Sequence, residues 1–277
     1  MALTIMTNAA SLGAQRNLNK TQDRLQQNVG RLSSGLRINR AGDDAAGLAI
    51  ASRLNSHVRG LTQAQRNAND AVSMIQTAEG GLGEITGMLN RMRELSVQAA
   101  NGGTLGTAER ASLDSEFQAL ESEIDRITTV TQYNGATLLD GSLAAGVDFQ
   151  VGIFDSANDR ISTTAFVASD STALGTSASD LTTAANAQAA IGVVDAAIDA
   201  VSSRRGDLGS IQNRLQVTIS NLGSMHENLS AAHSRIMDTD VAEETAAMTR
   251  NQILMQAGVA VLAQANQLPS MALSLLG

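Results

Sequence analysis

Apolar residues recur along this chain on a seven-residue step. Over residues 185–237, Val194, Val201, Leu208, Leu215, Leu222, Leu229 and Ile236 keep the step without a break. Ile191, Ile198 and Ile219 form a complementary row, interrupted by Arg205, Gln212, His226 and His233. This spacing predicts a long helix in a coiled-coil-like bundle. Residues 44–100 read the same way. Leu54, Leu61, Ala68, Ile75, Leu82 and Leu89 keep the step, and Ala64, Ala71, Ala78, Ile85 and Met92 line the next row. Such a helix would be about 85 Å long at 1.5 Å per residue. Gly80, Gly81, Gly83 and Gly87 mark a place where it could bend. A third helix is predicted from Thr107 to about Val130, where Leu113, Phe117, Leu120, Ile124 and Ile127 alternate steps of four and three. Asn101-Gly102-Gly103 before it predicts a turn back on the second helix.

The two ends carry narrower stripes. Leu18, Leu25 and Leu32 are seven apart, with Val29 and Leu36 beside them. Leu254, Val261, Leu268 and Leu275 repeat the step at the other end, separated by Gly258, Ala265 and Ala272. Each stripe is too narrow to fold alone, which predicts that they pair with each other. Between Tyr133 and Thr183 the helical signal stops. Tyr133-Asn134-Gly135 and Asp140-Gly141 read as turns. Val147, Phe149, Val151 and Ile153 alternate with polar residues or glycine, and Ile161–Val167 supplies a second strand, so one hairpin is expected. Residues 168–183 are Ser, Thr, Ala, Gly and Asp in the main, and read as an exposed connector open to insertion or to sugar attachment at hydroxyls.

The fold class expected is mainly α: a rod built from a long-helix, coiled-coil-like bundle, with one small β-hairpin region. Its expected parts are 1–43, one strand of a terminal coiled coil with a connector; 44–237, a helical rod domain with the hairpin at about 138–168 and the connector at about 169–184; and 238–277, the other strand.

Composition sharpens this picture. The 277 residues include one Pro, no Trp, one Tyr and four Phe, so Ala, Leu, Ile, Val and Met must fill the seams. One proline leaves long helices uninterrupted. The net charge of −8 gives no electrostatic basis for nucleic-acid binding. Absence of Cys excludes disulfides, thiolate metal sites and thiol nucleophiles. Residues 251–277 hold no charged side chain, but Asn251, Gln252, Gln256, Gln264, Asn266 and Gln267 interrupt the apolar run, so no membrane insertion is expected. The N-terminal MALTIMTNAASLGAQRN lacks the basic and apolar regions of a standard secretory signal.

No active site emerges. After His226-Glu227 the zinc-peptidase spacing would need His at 230, where Ser230 stands; His233 is about 10 Å further along a helix, too far to share the ion. His57 has no partner at ligand spacing. Asp43 and Asp44, just before AAGLAIA, read as N-caps of the long helix rather than an acid–base pair. No phosphate-binding glycine loop or nucleophile elbow is present. No catalytic residue, cofactor or metal is expected; composition and periodicity alone point to a structural or assembly protein.

The strings RLSSGLRINRAGDDAAGLAIASRL at 31–54 and TNAASLGAQRNLNKTQDRL at 7–25 strongly resemble the N-terminal core of bacterial flagellin. SRIMDTDVAEETAAMTRNQILMQAGVAVLAQANQLPSMALSLL at 234–276 is similar to the family's other core segment. The resemblance spans roughly 1–140 and 185–277. It implies the subunit of the extracellular flagellar filament, in a minimal form without large outer domains. It implies a self-partner in a helical polymer, export unfolded through the flagellar type III path, assembly at the tip, and contacts with an export chaperone, cap and hook-junction proteins. Assembly would fall to Leu18, Leu25, Val29, Leu32, Leu36, Leu254, Val261, Leu268 and Leu275, poorly ordered in the lone subunit until neighbours cover them. The rod seam would be Leu54, Leu61, Ile75, Leu82, Leu89, Val194, Val201, Leu208, Leu215, Leu222, Leu229 and Ile236. The family is also sensed by an innate immune receptor of animal hosts, a Toll-like receptor; its contact motif corresponds to RMRELSVQAAN, with Arg91 and Leu95, plus Glu116. Asn90 stands where many sensed flagellins carry Gln. A hook–filament junction protein shares related ends, but the dense match at 31–54 and LAQANQLP favour the filament subunit. An enzyme inserted in a filament scaffold would need a HExxH string and a longer middle segment. A membrane-active amphipathic protein would need basic polar faces.

Overall fold

The computed structural model describes residues 7–274, with side chains through Gln267. Helices α1 (Ala9–Ser34), α2 (Ala45–Ala99), α3 (Thr107–Val130), α4 (Ser171–Leu174), α5 (Ala184–Met237) and α6 (Val241–Ser274) dominate it. Strands β1 (Gln132–Tyr133), β2 (Ala136–Thr137), β3 (Val147–Gln150) and β4 (Arg160–Thr163) form two antiparallel pairs, β1–β2 and β3–β4. The fold is therefore mainly α with a small β region.

The chain divides into two compact units, residues 1–58 with 228–277, and residues 59–227. The boundaries fall inside α2 and α5, not at the expected 43/44 and 237/238. The first turns of α2 and the last of α5 group with the terminal helices, because Ile38 and Ala51 are buried there and backbone bonds tie the two loops together. Arg37 N–H donates to the Met237 carbonyl at 2.6 Å, and Thr239 N–H to the Gly35 carbonyl at 2.9 Å.

In the unit 59–227 the core follows the sequence ruler. On α2, Leu61, Ala64, Ala68, Ala71, Ile75, Ala78, Leu82, Ile85, Leu89 and Met92 are all buried at alternating steps of three and four. On α5 the main row is Val194, Val201, Leu208, Leu215 and Leu222. Ala187 begins that row, and the second buried row is Ala190, Ala197 and Ile211, one position before the expected Ile191–Ile198–Ile219 row. Alanine lets neighbouring backbones approach, so the larger isoleucines flank the seam instead. By length and composition α5 could cross a membrane, at mean hydropathy 1.2 over its most apolar window; in this fold that row is packed in protein core. Phe117 and Ile124 bring α3 into the same cluster.

The glycine run does not break α2. Instead Gly81 admits the chain after α3: a Cβ there would sit 2.8 Å from Leu139 Cδ1 and 2.9 Å from Thr131 Oγ1. The expected hairpin is β3–β4, in register Phe149↔Ile161, with a loop closed by a short 3₁₀ turn at Ala157–Asp159. A second, tighter hairpin precedes it: Asn134 (φ 50°) and Gly135 (φ 83°) link β1 to β2, a turn requiring positive φ at both positions.

Residues 168–183 are not an exposed connector. Ser169, Ser171, Leu174, Thr176 and Leu181 are buried. The Asp125 carboxylate accepts from Ser171 N–H at 2.7 Å and from its hydroxyl at 3.0 Å. Asp114 accepts from Leu181 N–H at 2.7 Å, and Gln118 donates to the Ser179 carbonyl. Arg204 donates to the Ser169 hydroxyl at 2.7 Å. The polar composition that suggested exposure serves to satisfy these bonds.

Candidate subunit interface

In the unit 1–58 with 228–277, α1 and α6 pair antiparallel. Asn8 accepts from Ser11 N–H to cap α1, and donates to the Ala265 carbonyl at 2.8 Å. Further along, a Cβ on Gly258 would lie 3.2 Å from Leu18 Cδ1. Near the other end, the buried Asn28 donates to the Glu244 carboxylate and accepts from Asn251 at 2.8 Å. Arg31 stands 3.8 Å from Glu244. Gly35, at φ 73°, ends α1 in the left-handed conformation that glycine tolerates. Two aspartates build the next turn. Asp44 caps α2 by accepting from Gly47 N–H at 2.9 Å. Asp43 accepts from the amides of Arg40 and Asn39, which hold its carboxyl below the usual carboxylate range.

The face of α6 turned inward is Glu244, Met248, Asn251, Met255, Gly258, Leu262 and Ala265, all buried or half-buried. The expected stripe lies on another face. Leu254 is 48% exposed and Val261 56%, as are Ile253 and Val259 to similar extents. The pairing partners of Leu18, Leu25 and Leu32, which are half-buried, are thus not Leu254 and Val261. Small and polar residues share the α6 seam with Met248, Met255 and Leu262, so the most apolar row of the helix is not the one turned inward. Leu36 is half-buried and Val29 exposed. Leu268 and Leu275 fall outside the described side chains.

The other sequence-selected residues divide by unit. Leu61, Ile75, Leu82, Leu89, Val194, Val201, Leu208, Leu215 and Leu222 are buried in 59–227. Leu54, Leu229 and Ile236 are half-buried in the terminal unit. Arg91 and Glu116 are exposed and bonded to each other at 2.8 Å, with Glu94 a second partner of Arg91; Glu116, then Glu94, raises the guanidinium's pKa. Leu95 is fully buried, three residues after Met92 on the core row, and is unavailable as a surface contact. Among the described residues no cluster of His, Cys, Asp or Glu could hold a metal ion.

A buried polar layer in an otherwise narrow helical seam, beside an exposed apolar face on a helix that carries no charge after Arg250, defines a class: a subunit whose terminal helices are built for association. The comparisons agree. Residues 5–144 match the family described as the bacterial flagellin N-terminal helical region, and residues 191–276 the bacterial flagellin C-terminal helical region. The flagellin of Halalkalibacterium halodurans is 46% identical over 99% of this chain and all of its own length. That of Bacillus subtilis is 43% identical over 99% of this chain and all of its own. The flagellar filament 33 kDa core protein of Treponema phagedenis is 42% identical over the same share. Among solved structures, Bacillus cereus flagellin superposes with a TM-score of 0.50 at 33% identity, covering 61% of this chain and 94% of that one. The chain belongs to the bacterial flagellin family, as a short form without a large outer domain. It is a structural filament protein of the extracellular flagellum and not an enzyme.

Proposed function

We propose that this chain polymerises into the helical propeller of a swimming bacterium, with its terminal helices as the assembly site. The observation that carries this reading is the apolar face of α6 where Ile253, Leu254 and Val261 stand exposed, with Val259 exposed on the other flank of the seam, on a segment with no charged side chain beyond Arg250. Burying such a face against like subunits removes apolar area from water at roughly 25 cal/mol per Å². Leu18, Leu25, Val29, Leu32 and Leu36 hold the α1 side of the same assembly, and Leu268 and Leu275 extend it. A subunit that meets its neighbours through unlike patches grows an open helical polymer. The subunit travels unfolded through the flagellar type III path and adds at the tip, handled by an export chaperone and meeting cap and hook-junction proteins. A chain without disulfides suits that passage. A host Toll-like receptor reads the exposed Arg91–Glu116 pair on the free subunit, with Leu95 supporting the surface from beneath. Deleting residues 254–277 tests the assembly reading: the truncated chain should stay monomeric when seeded, and normal filaments from it would refute the assignment.

A further inference from the structure

Among the described residues of 59–227, the large hydrophobics left exposed are Val97, Val130, Phe154, Val217 and Met225, and the last three line one groove. Its volume is about 610 Å³, and its floor includes the buried Leu61 and Leu222. Phe154 is 58% exposed and Val217 71%. The chain has only four Phe, and Phe117 and Phe166 are fully buried. Placing a ring at the surface of so ring-poor a protein leaves apolar area in water.

The ring is also held in place. Val151 and Gly152 donate to the Asp159 carbonyl at 2.9 and 3.0 Å, closing the loop between β3 and β4. Gln150 donates to the carbonyls of Gly152 and Phe154, both at 3.0 Å. The loop sits directly on α2, where a Cβ on Gly60 would lie 2.9 Å from Ile153 Cγ2. A preformed apolar seat loses little entropy on binding.

We propose that this groove is a contact site for a second copy of the chain. The proposal rests on the filament-subunit reading. An open helical polymer needs heterologous contacts, in which a concave patch on one copy meets an unlike patch on the next. Interface cores are apolar, with Arg and polar groups at the rim. Here Arg214 stands at the rim and makes no ion pair among the described residues. A chain of net charge −8 supplies carboxylates to meet it.

The test uses the full chain and wild-type seeds. Val217→Lys should leave the circular dichroism spectrum and melting of the subunit unchanged, because Val217 is exposed. It should raise the critical concentration for polymerisation roughly tenfold or more. Met225→Cys, the sole thiol in the chain, should react with a small maleimide in the subunit and be protected in filaments. The labelling also decides the matter should Val217→Lys misfold. Unchanged critical concentration together with equal labelling of subunit and filament would overturn the proposal, whether the groove is then empty or takes some other molecule. If the wild-type chain itself forms no filament, the filament-subunit reading fails instead.

Discussion

Replacing Glu244 with Ala should loosen the α1–α6 pair by about 2 kcal/mol. The buried Asn28 amide would lose its acceptor while keeping only its bond to Asn251, and a buried donor left unsatisfied costs about 1–3 kcal/mol. Loss of the Arg31 pair adds little, because its 3.8 Å separation and partly exposed guanidinium leave it screened. About 2 kcal/mol is roughly a thirtyfold change in a local opening equilibrium. Replacing Asn28, Glu244 and Asn251 together with Leu removes all three hydrogen-bonded members of the layer at once and leaves the partly exposed Arg31 to solvent. It should cost nothing, or stabilise the pair by about 1–4 kcal/mol, as apolar replacements of buried ionic clusters do. Hydrogen exchange of the α6 amides around Asn251, read by mass spectrometry on the subunit, separates the two cases. Exchange should quicken about thirtyfold in Glu244→Ala and slow or hold steady in the triple variant. If the triple variant opens as readily as the single one, the layer contributes net stability and the argument from unsatisfied donors is wrong.

Three further outcomes follow from the unit 59–227. Gly80→Ala meets nothing within 4 Å and should stabilise α2 by about 0.5–1 kcal/mol, while Gly81→Ala must displace Leu139 and Thr131 and should destabilise it; thermal melts give both signs. Burial, then the nearby Asp125 carboxylate, hold Glu121 above the ordinary carboxyl range. Its native-state contribution is therefore full below the reference value of 4.5 and is lost as pH rises through its raised pKa, so Glu121→Gln should stabilise the chain at neutral pH and lose that advantage on acidification. Urea midpoints across pH 4 to 8 check the trend, and an advantage that grows toward acid would contradict it. Asp125→Ala removes two bonds to Ser171 and should open residues 168–183 to limited proteolysis, where the wild-type chain should resist cleavage.

What could be read from the sequence depended on which residues make each seam. On α2 and in the main row of α5 the buried positions are apolar throughout, so the three–four spacing locates them directly. On α6 the seam is Glu244, Asn251, Gly258 and Ala265 with Met and Leu between. Met248, Met255 and Leu262 keep the seven-residue step as well, but the polar and small residues beside them dilute that row, and the more apolar step through Leu254 and Val261 stands out instead. The polar layer was invisible for a related reason: Asn28 and Glu244 lie 216 positions apart, and only their meeting makes either a buried residue. The same holds for residues 168–183, whose hydroxyls and amides find Asp125, Asp114 and Arg204 at long range. Leu95 was a different case. The step from Met92 already placed it on the core row, and the resemblance of its motif to a surface contact obscured that.

The face of α6 that carries Leu254 and Val261 is exposed in the single chain, and only neighbouring subunits would cover it. Hydrogen exchange of α1 and α6 in the dilute subunit and in the seeded filament measures this directly. Protection should be moderate in the subunit and rise by orders of magnitude in the filament, most of all around Leu254 and Val261. Equal, strong protection in both states would contradict it.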